Sequence, residues 1–224
     1  KVAFDIAYNC SAYKGAELFL KVQEKIRSWG DFLKPSGRGL SEPSFIGFFG
    51  ELYTLSEIFM DVHDPLISVR SWIGPAGKKR DFSLNNFALE VKSTMSGDPS
   101  VVRISSLDQL YRNTAKLFLL RLVFNSSIGL EVVTLQSLYE KCLTAAQLNL
   151  EVELAFLKKA SRFYGKASQK QRDTGLCLAS HALYDVVDDF PFLTQENVPD
   201  GILKASYDIH ISKSGFFLYD RRIF

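Results

Sequence analysis

Residues 80–94, Arg-Asp-Phe-Ser-Leu-Asn-Asn-Phe-Ala-Leu-Glu-Val-Lys-Ser-Thr (RDFSLNNFALEVKST), carry the alternation from which the fold is read. Asn85-Asn86 is a tight-turn pair, so the runs on either side read as neighbouring strands of a hairpin. Successive side chains of a strand point to opposite faces. Phe87, Leu89, Val91 and Ser93 therefore share a face suited to a core, and Ala88, Glu90, Lys92 and Thr94 share the other. Glu90 and Lys92 point the same way, about 6.5–7 Å apart along the strand. Asp81 sits on the strand that the hairpin folds against Glu90. Two carboxylates on adjoining strands with a lysine are the minimum kit of a divalent-metal hydrolase. Hard cations such as Mg²⁺ prefer carboxylate oxygen, and a lysine neutralises phosphate or positions water. A solvated ion pair accounts for Glu90 and Lys92 as well, and the rest of the chain has to decide.

Upstream, LISVRSWI (66–73) alternates and predicts a strand, and GPAGKK (74–79) is a Gly/Pro turn. Before it, Phe45, Phe48, Phe49, Leu52, Leu55 and Phe59 recur at helical intervals, predicting a helix over 44–60 with Ser41 or Ser44 as its cap. Glu51 falls roughly 80° from the centre of the apolar face and Glu57 roughly 160°. Glu51 can therefore lean over the rim of the sheet toward Asp81 and Glu90, while Glu57 faces solvent. A further helix is predicted over 13–29, followed by a Gly/Pro/Ser-rich loop at 34–43.

Downstream, SGDPS (96–100) breaks the strand and SSLDQLYRNTA (105–115) predicts a short helix. KLFLLRLVF (116–124) is a continuous apolar run of strand length, as expected for a strand covered on both faces. Residues 135–164 read as two helices, QKQRDTG as a polar loop, and LASHALYDVV and LKASYDIHIS as strands. The expected organisation is an N-terminal helical and linker segment at 1–43, a core at 44–130 and a C-terminal α+β extension at 131–224. Through the core the order is α-β-β-β-α-β.

Composition excludes several classes. With 224 residues, 46% of them hydrophobic, the chain can bury a full core. The apolar run at 116–124 is interrupted by Arg121 and falls far short of the roughly 20 residues that span a bilayer, so no membrane role is expected. Cys10, Cys142 and Cys177, with His63, His181 and His210, have no zinc-binding spacing and read as structural residues in a reducing compartment. A net charge of +2 confines any basic surface to local patches. Lys78, Lys79 and Arg80 on the hairpin, with Arg103 and Arg112, are candidate phosphate contacts or a solvated turn. The stretch 158–172 is rich in Lys and Arg and holds no acid. It reads as a nucleic-acid-facing arm with Phe163 and Tyr164 as stacking residues, or as a solvated loop. His63-Asp64 and Asp188-Asp189 flank turns, where capping roles suffice.

The segments FFGELYTL (48–55), WIGPAGKKRDFSLNNFALEVKST (72–94), RISSLDQL (103–110) and LYDVVDDFPFLTQENVPDGILKASYDIHI (183–211) resemble, in that order, a known family. They are similar to the PD-(D/E)XK nuclease superfamily and, more closely, to a bacterial family of PD-(D/E)XK motif proteins often encoded beside restriction-modification or phage-defence genes. The resemblance implies an α/β (α+β) restriction-endonuclease-like core, with a mixed central sheet flanked by helices. It also implies a cytoplasmic, Mg²⁺-dependent DNA endonuclease in which Mn²⁺ can substitute. Asp81 and Glu90 would be metal ligands, Lys92 the catalytic lysine, and Glu51 the helix acid aiding metal or water. Arg80 stands where the motif has proline, a change that removes no ligand. Gln109, on the predicted short helix, sits where related nucleases sometimes have a polar residue near the site, and a helix-surface glutamine accounts for it equally. Cutting both strands of a duplex implies a homodimer or a larger defence complex. The alternative is a non-catalytic DNA-binding or assembly subunit that keeps the nuclease fold and acts with a partner.

Overall fold

The computed structural model describes residues 2–33, 39–75, 80–84, 87–95, 100–111, 116–126, 131–187 and 189–211. Helices α1 (Val2–Cys10) and α2 (Gly15–Leu33) precede α3 (Glu42–Tyr53). Ser41 caps α3, its hydroxyl accepting the Ser44 N–H, and Pro43 suits the first turn because it lacks an N–H that would go unused there. The helix continues through a π-helical turn, Thr54–Phe59, into α4 (Met60–Val62), so the helix predicted over 44–60 is present with a wider second half.

The next element corrects the sequence reading. Residues 66–73 do not form a strand; the chain makes helix α5 (Pro65–Ser71). Asp64 is its cap, accepting the Leu66 N–H at 2.8 Å, and Pro65 fills the first helical position. Val69 and Trp72, three residues apart, are buried while Ile67 is exposed, which is helical spacing.

Strands β1 (Phe82–Ser83) and β2 (Ala88–Thr94) follow, then β3 (Val101–Ile104) and β4 (Leu117–Asn125). β5 (Val133–Thr134) leads into α6 (Leu135–Ala146), α7 (Leu150–Lys166) and α8 (Gln169–Asp173). β6 (Gly175–Asp185) and β7 (Tyr207–His210) end the described chain. The central sheet runs β1-β2-β4-β6-β5, with β2 and β4 parallel and every other pair antiparallel. β3 and β7 make a separate two-stranded sheet. The expected hairpin closes with Leu84 N–H donating to Phe87 O at 2.9 Å; Asn85-Asn86 lies outside the described residues. β5 and β6, from beyond residue 130, complete the sheet that β1, β2 and β4 begin.

Each face of the sheet has its own core. Leu89, Val91, Phe118, Leu120, Leu122 and Phe124 pack with Phe49, Leu52, Phe59, Trp72, Leu138 and Phe156 from the helices. Ala88, Leu117, Leu119, Ala182 and Tyr184 pack on the other face beneath Val102, Ile104, Leu110, Ile209 and Ile211. β4 is thus covered on both sides, as its apolar run, broken only at Arg121, requires.

Two further readings change. Residues 107–110 form tight turns in place of the predicted helix, with Gln109 N–H bonded to Ser106 O and Tyr111 N–H to Asp108 O. The carbonyls of Asp108, Gln109 and Tyr111 also accept hydrogen bonds from Arg80. The basic stretch 158–172 is folded: Phe163 packs on Phe48, Tyr164 stacks on Tyr139 at 3.8 Å, and Arg172 lies over Tyr164. Among the described residues no helix is long and apolar enough to cross a membrane. The architecture is that of a restriction-endonuclease-like core, a curled mixed sheet flanked by helices.

Candidate active site

β2 pairs with β4 along its whole length but with β1 only at Ala88 and Leu89. Beyond Leu89 its outer edge would present unpaired backbone groups. Asp81 fills that gap. Its N–H donates to Leu89 O at 3.2 Å, its carbonyl accepts the Ile73 N–H at 2.7 Å, and its Oδ2 accepts the Val91 N–H at 2.7 Å. The carboxylate is therefore fixed against the strand that carries Glu90.

Glu51 arrives from the opposite core. Gly50, beside it, is where α3 touches β2: a Cβ placed there would lie 1.7 Å from Ser93 Oγ. Only glycine permits that approach, which brings Glu51 to the edge of the sheet. Trp72 Nε1 donates to Glu51 Oε2 at 2.9 Å. Trp72 is held in turn by Lys159, whose Nζ donates to the carbonyls of Val69 (2.9 Å) and Trp72 at the C-terminus of α5. Burial and neighbouring Lys158 lower the Lys159 pKa to about 8.

Glu90 is 3% exposed, and its Oε1 accepts Lys92 Nζ at 2.9 Å. Lys92 also donates to Gln109 Oε1 at 3.0 Å, and the same oxygen accepts the Ser105 N–H at 2.7 Å. Glu57, as its helical position foretold, lies elsewhere, paired with Lys141 at 3.0 Å.

Burial dominates the electrostatics. It pushes Glu90 up to about 8, with Asp81 adding to the shift and Lys92 opposing it. Glu51 is raised well above the usual carboxylate range by burial first and by Asp81 next, against the Trp72 hydrogen bond. Asp81 is raised by burial, opposed by the Val91 hydrogen bond and by Lys92. Three acids that disfavour ionisation together form a site where a cation is welcome.

Among the described residues, no three His, Cys, Asp or Glu side chains stand as a ready-made metal cage. The donor chemistry nonetheless fits a hard divalent ion. Each of Glu51, Asp81 and Glu90 has one oxygen fixed by a hydrogen bond or ion pair and a second that accepts none among the described residues. Mg²⁺ commonly takes one or two carboxylates and keeps several waters, so a closed cage is not required.

Of the candidate nucleic-acid contacts, Lys78, Lys79 and Arg112 lie outside the described residues. Arg103 pairs with Asp208 at 3.1 Å. Arg80 is turned inward, 6% exposed, donating to the carbonyls of Asp108 (2.9 Å), Gln109 (2.7 Å) and Tyr111. Sequence reading missed Trp72, whose signal was a buried indole in need of an acceptor, and Arg121, in register beside Lys92 on β4.

A helix acid, a strand acid and a Glu-x-Lys strand gathered at the edge of a mixed sheet define the restriction-endonuclease-like class. Residues 2–212 match the family model described as "Putative PD-(D/E)XK family member, (DUF4420)", and the chain belongs to that family. No curated protein and no solved structure matches it.

Proposed function

We propose that this chain is a Mg²⁺-dependent DNA endonuclease, with Mn²⁺ able to substitute, serving as a bacterial cytoplasmic restriction or phage-defence effector. The observation that carries this reading is the convergence of Glu51, Asp81, Glu90 and Lys92, from three elements, in one buried cluster at the sheet edge. Residues 44–130 supply every candidate catalytic residue, and β5 and β6 from beyond residue 130 complete the sheet that carries them. Asp81 and Glu90 would hold the metal, with Glu51 completing the set. When bound, such an ion lowers the pKa of water and stabilises charge on the phosphoryl oxygens.

The protein's own groups do the rest. Val91 N–H fixes the direction of the Asp81 carboxylate, and Trp72 Nε1 that of Glu51. Lys92 spends one N–H on Glu90 and one on Gln109, which leaves the third for the scissile phosphate or the attacking water. Arg121, in register with Lys92, adds positive charge to the same face. Cleavage of both strands brings two copies together, as a homodimer or within a larger complex.

Plasmid cleavage with Mg²⁺ or Mn²⁺ tests this directly. Lys92→Ala and Asp81→Asn should each lose about 100-fold or more in rate, as expected for groups acting on transition-state charge, while DNA affinity is retained. A wild-type protein that neither cuts DNA nor binds either metal by calorimetry would refute the reading. Variants unchanged in both rate and affinity would refute it equally.

A further inference from the structure

Behind Lys92 stands a two-part support, and we infer that Arg80 and Gln109 are positioning residues for the Lys92 ammonium group, not contacts to nucleic acid. The inference rests on the reading of Lys92 as the group that meets the phosphate. It begins with donor arithmetic. An ammonium carries three N–H bonds on a flexible stem, so one acceptor leaves it free to swivel, whereas two fix the direction of the third. Glu90 Oε1 at 2.9 Å and Gln109 Oε1 at 3.0 Å are those two acceptors.

Gln109 Oε1 is itself immobilised. It also accepts the Ser105 N–H at 2.7 Å, which uses both of its lone pairs. The turns at 107–110 bring the carbonyls of Asp108, Gln109 and Tyr111 toward Arg80. Its planar fork donates to all three together, which holds the turn that carries Gln109. A lysine at position 80 could not span three carbonyls from one point charge. Because Arg80 is bonded in sequence to Asp81, one residue ties the strand that presents the acid to the turn that aims the lysine. At 6% exposure its guanidinium is not available to a phosphate.

The test uses the full chain with ¹⁵N-labelled lysine. Wild-type Lys92 should give an ordered, exchange-protected ammonium signal. Gln109→Leu should lower its order toward that of exposed lysines, Gln109→Glu should preserve it, and Arg80→Lys should lower it. In steady-state cleavage, Gln109→Leu and Arg80→Lys should reduce kcat about tenfold, as loss of orientation does, with KM and DNA affinity within about twofold. Unchanged Lys92 order in Gln109→Leu overturns the inference. A tenfold loss of DNA affinity with Lys92 order intact overturns it too, and makes these residues contacts. Should Arg80→Lys fail to fold, the Gln109 pair still decides. If the wild-type protein does not cut DNA, the nuclease reading fails while the order of Lys92 still judges its support.

Discussion

The two faces of β2 differ in what holds them. Leu89 and Val91 enter a core rich in aromatic rings, where Phe49 meets Phe124 edge-on at 5.0 Å and Phe59 stacks on Phe82 at 4.6 Å. One residue away, Glu90 and Lys92 enter a space organised by charge and by backbone hydrogen bonds. On the first face, the area removed from water sets the free energy. On the second, burial works against the residues themselves, and only mutual pairing or a cation offsets it. Residue parity thus separates stability from chemistry along a single strand.

The sharpest way to break that separation is Lys92→Ala, which should abolish cleavage while leaving the thermal midpoint within a few degrees. A large loss of stability with unchanged cleavage would place Lys92 on the structural side. Leu89→Ala should do the opposite. It should cost about 2–5 kcal/mol in urea unfolding, the usual range for a buried leucine, and leave the activity of the folded fraction intact. Gly50→Ala sits on the boundary. Its Cβ would collide with Ser93, so a loss of about 1–3 kcal/mol is expected, with Ser93→Gly in the same chain restoring much of it. Restoration failing would show that α3 and β2 do not meet there.

The smallest effect has an informative sign. Glu90 is raised from 4.5 to about 8 in the folded protein, so the folded state holds its proton more tightly than the unfolded state does. The stability this contributes is full below about pH 4.5 and is lost as pH rises toward 8. Metal-free Glu90→Gln should flatten that slope and exceed wild type at pH 8 by about 1–2 kcal/mol, a few degrees in melting temperature. A variant no more stable than wild type would mean that Lys92 already balances the charge, as an ordinary ion pair would.

Parts of this arrangement were legible in sequence because they are local. A period of two fixes which side chains share a face, so Glu90 with Lys92 follows from spelling alone, and a hairpin turn places Asp81 opposite. The rim position of Glu51 came from helical stepping. What escaped depends on partners far along the chain. LISVRSWI alternates like a strand, but Asp64-Pro65 starts a helix ahead of it, and tertiary burial of Val69 and Trp72 keeps it helical. The Trp72 bond to Glu51 went unseen with it. Arg80, third in a Lys-Lys-Arg run, looked like surface, and its acceptors lie 28 to 31 residues away. The 107–110 turns were hidden for the same reason.

Lys159 gives the last third of the chain a hold on the acids. It sits 90 residues from Val69 and 87 from Trp72, yet its amine closes the end of α5, which steadies the indole that braces Glu51. A change in α7 can therefore alter how the helix carboxylate is aimed without touching the cluster. Residues 44–130, transplanted into another scaffold, would carry every candidate ligand and the Trp72 indole, and still leave that indole without the amine that steadies it.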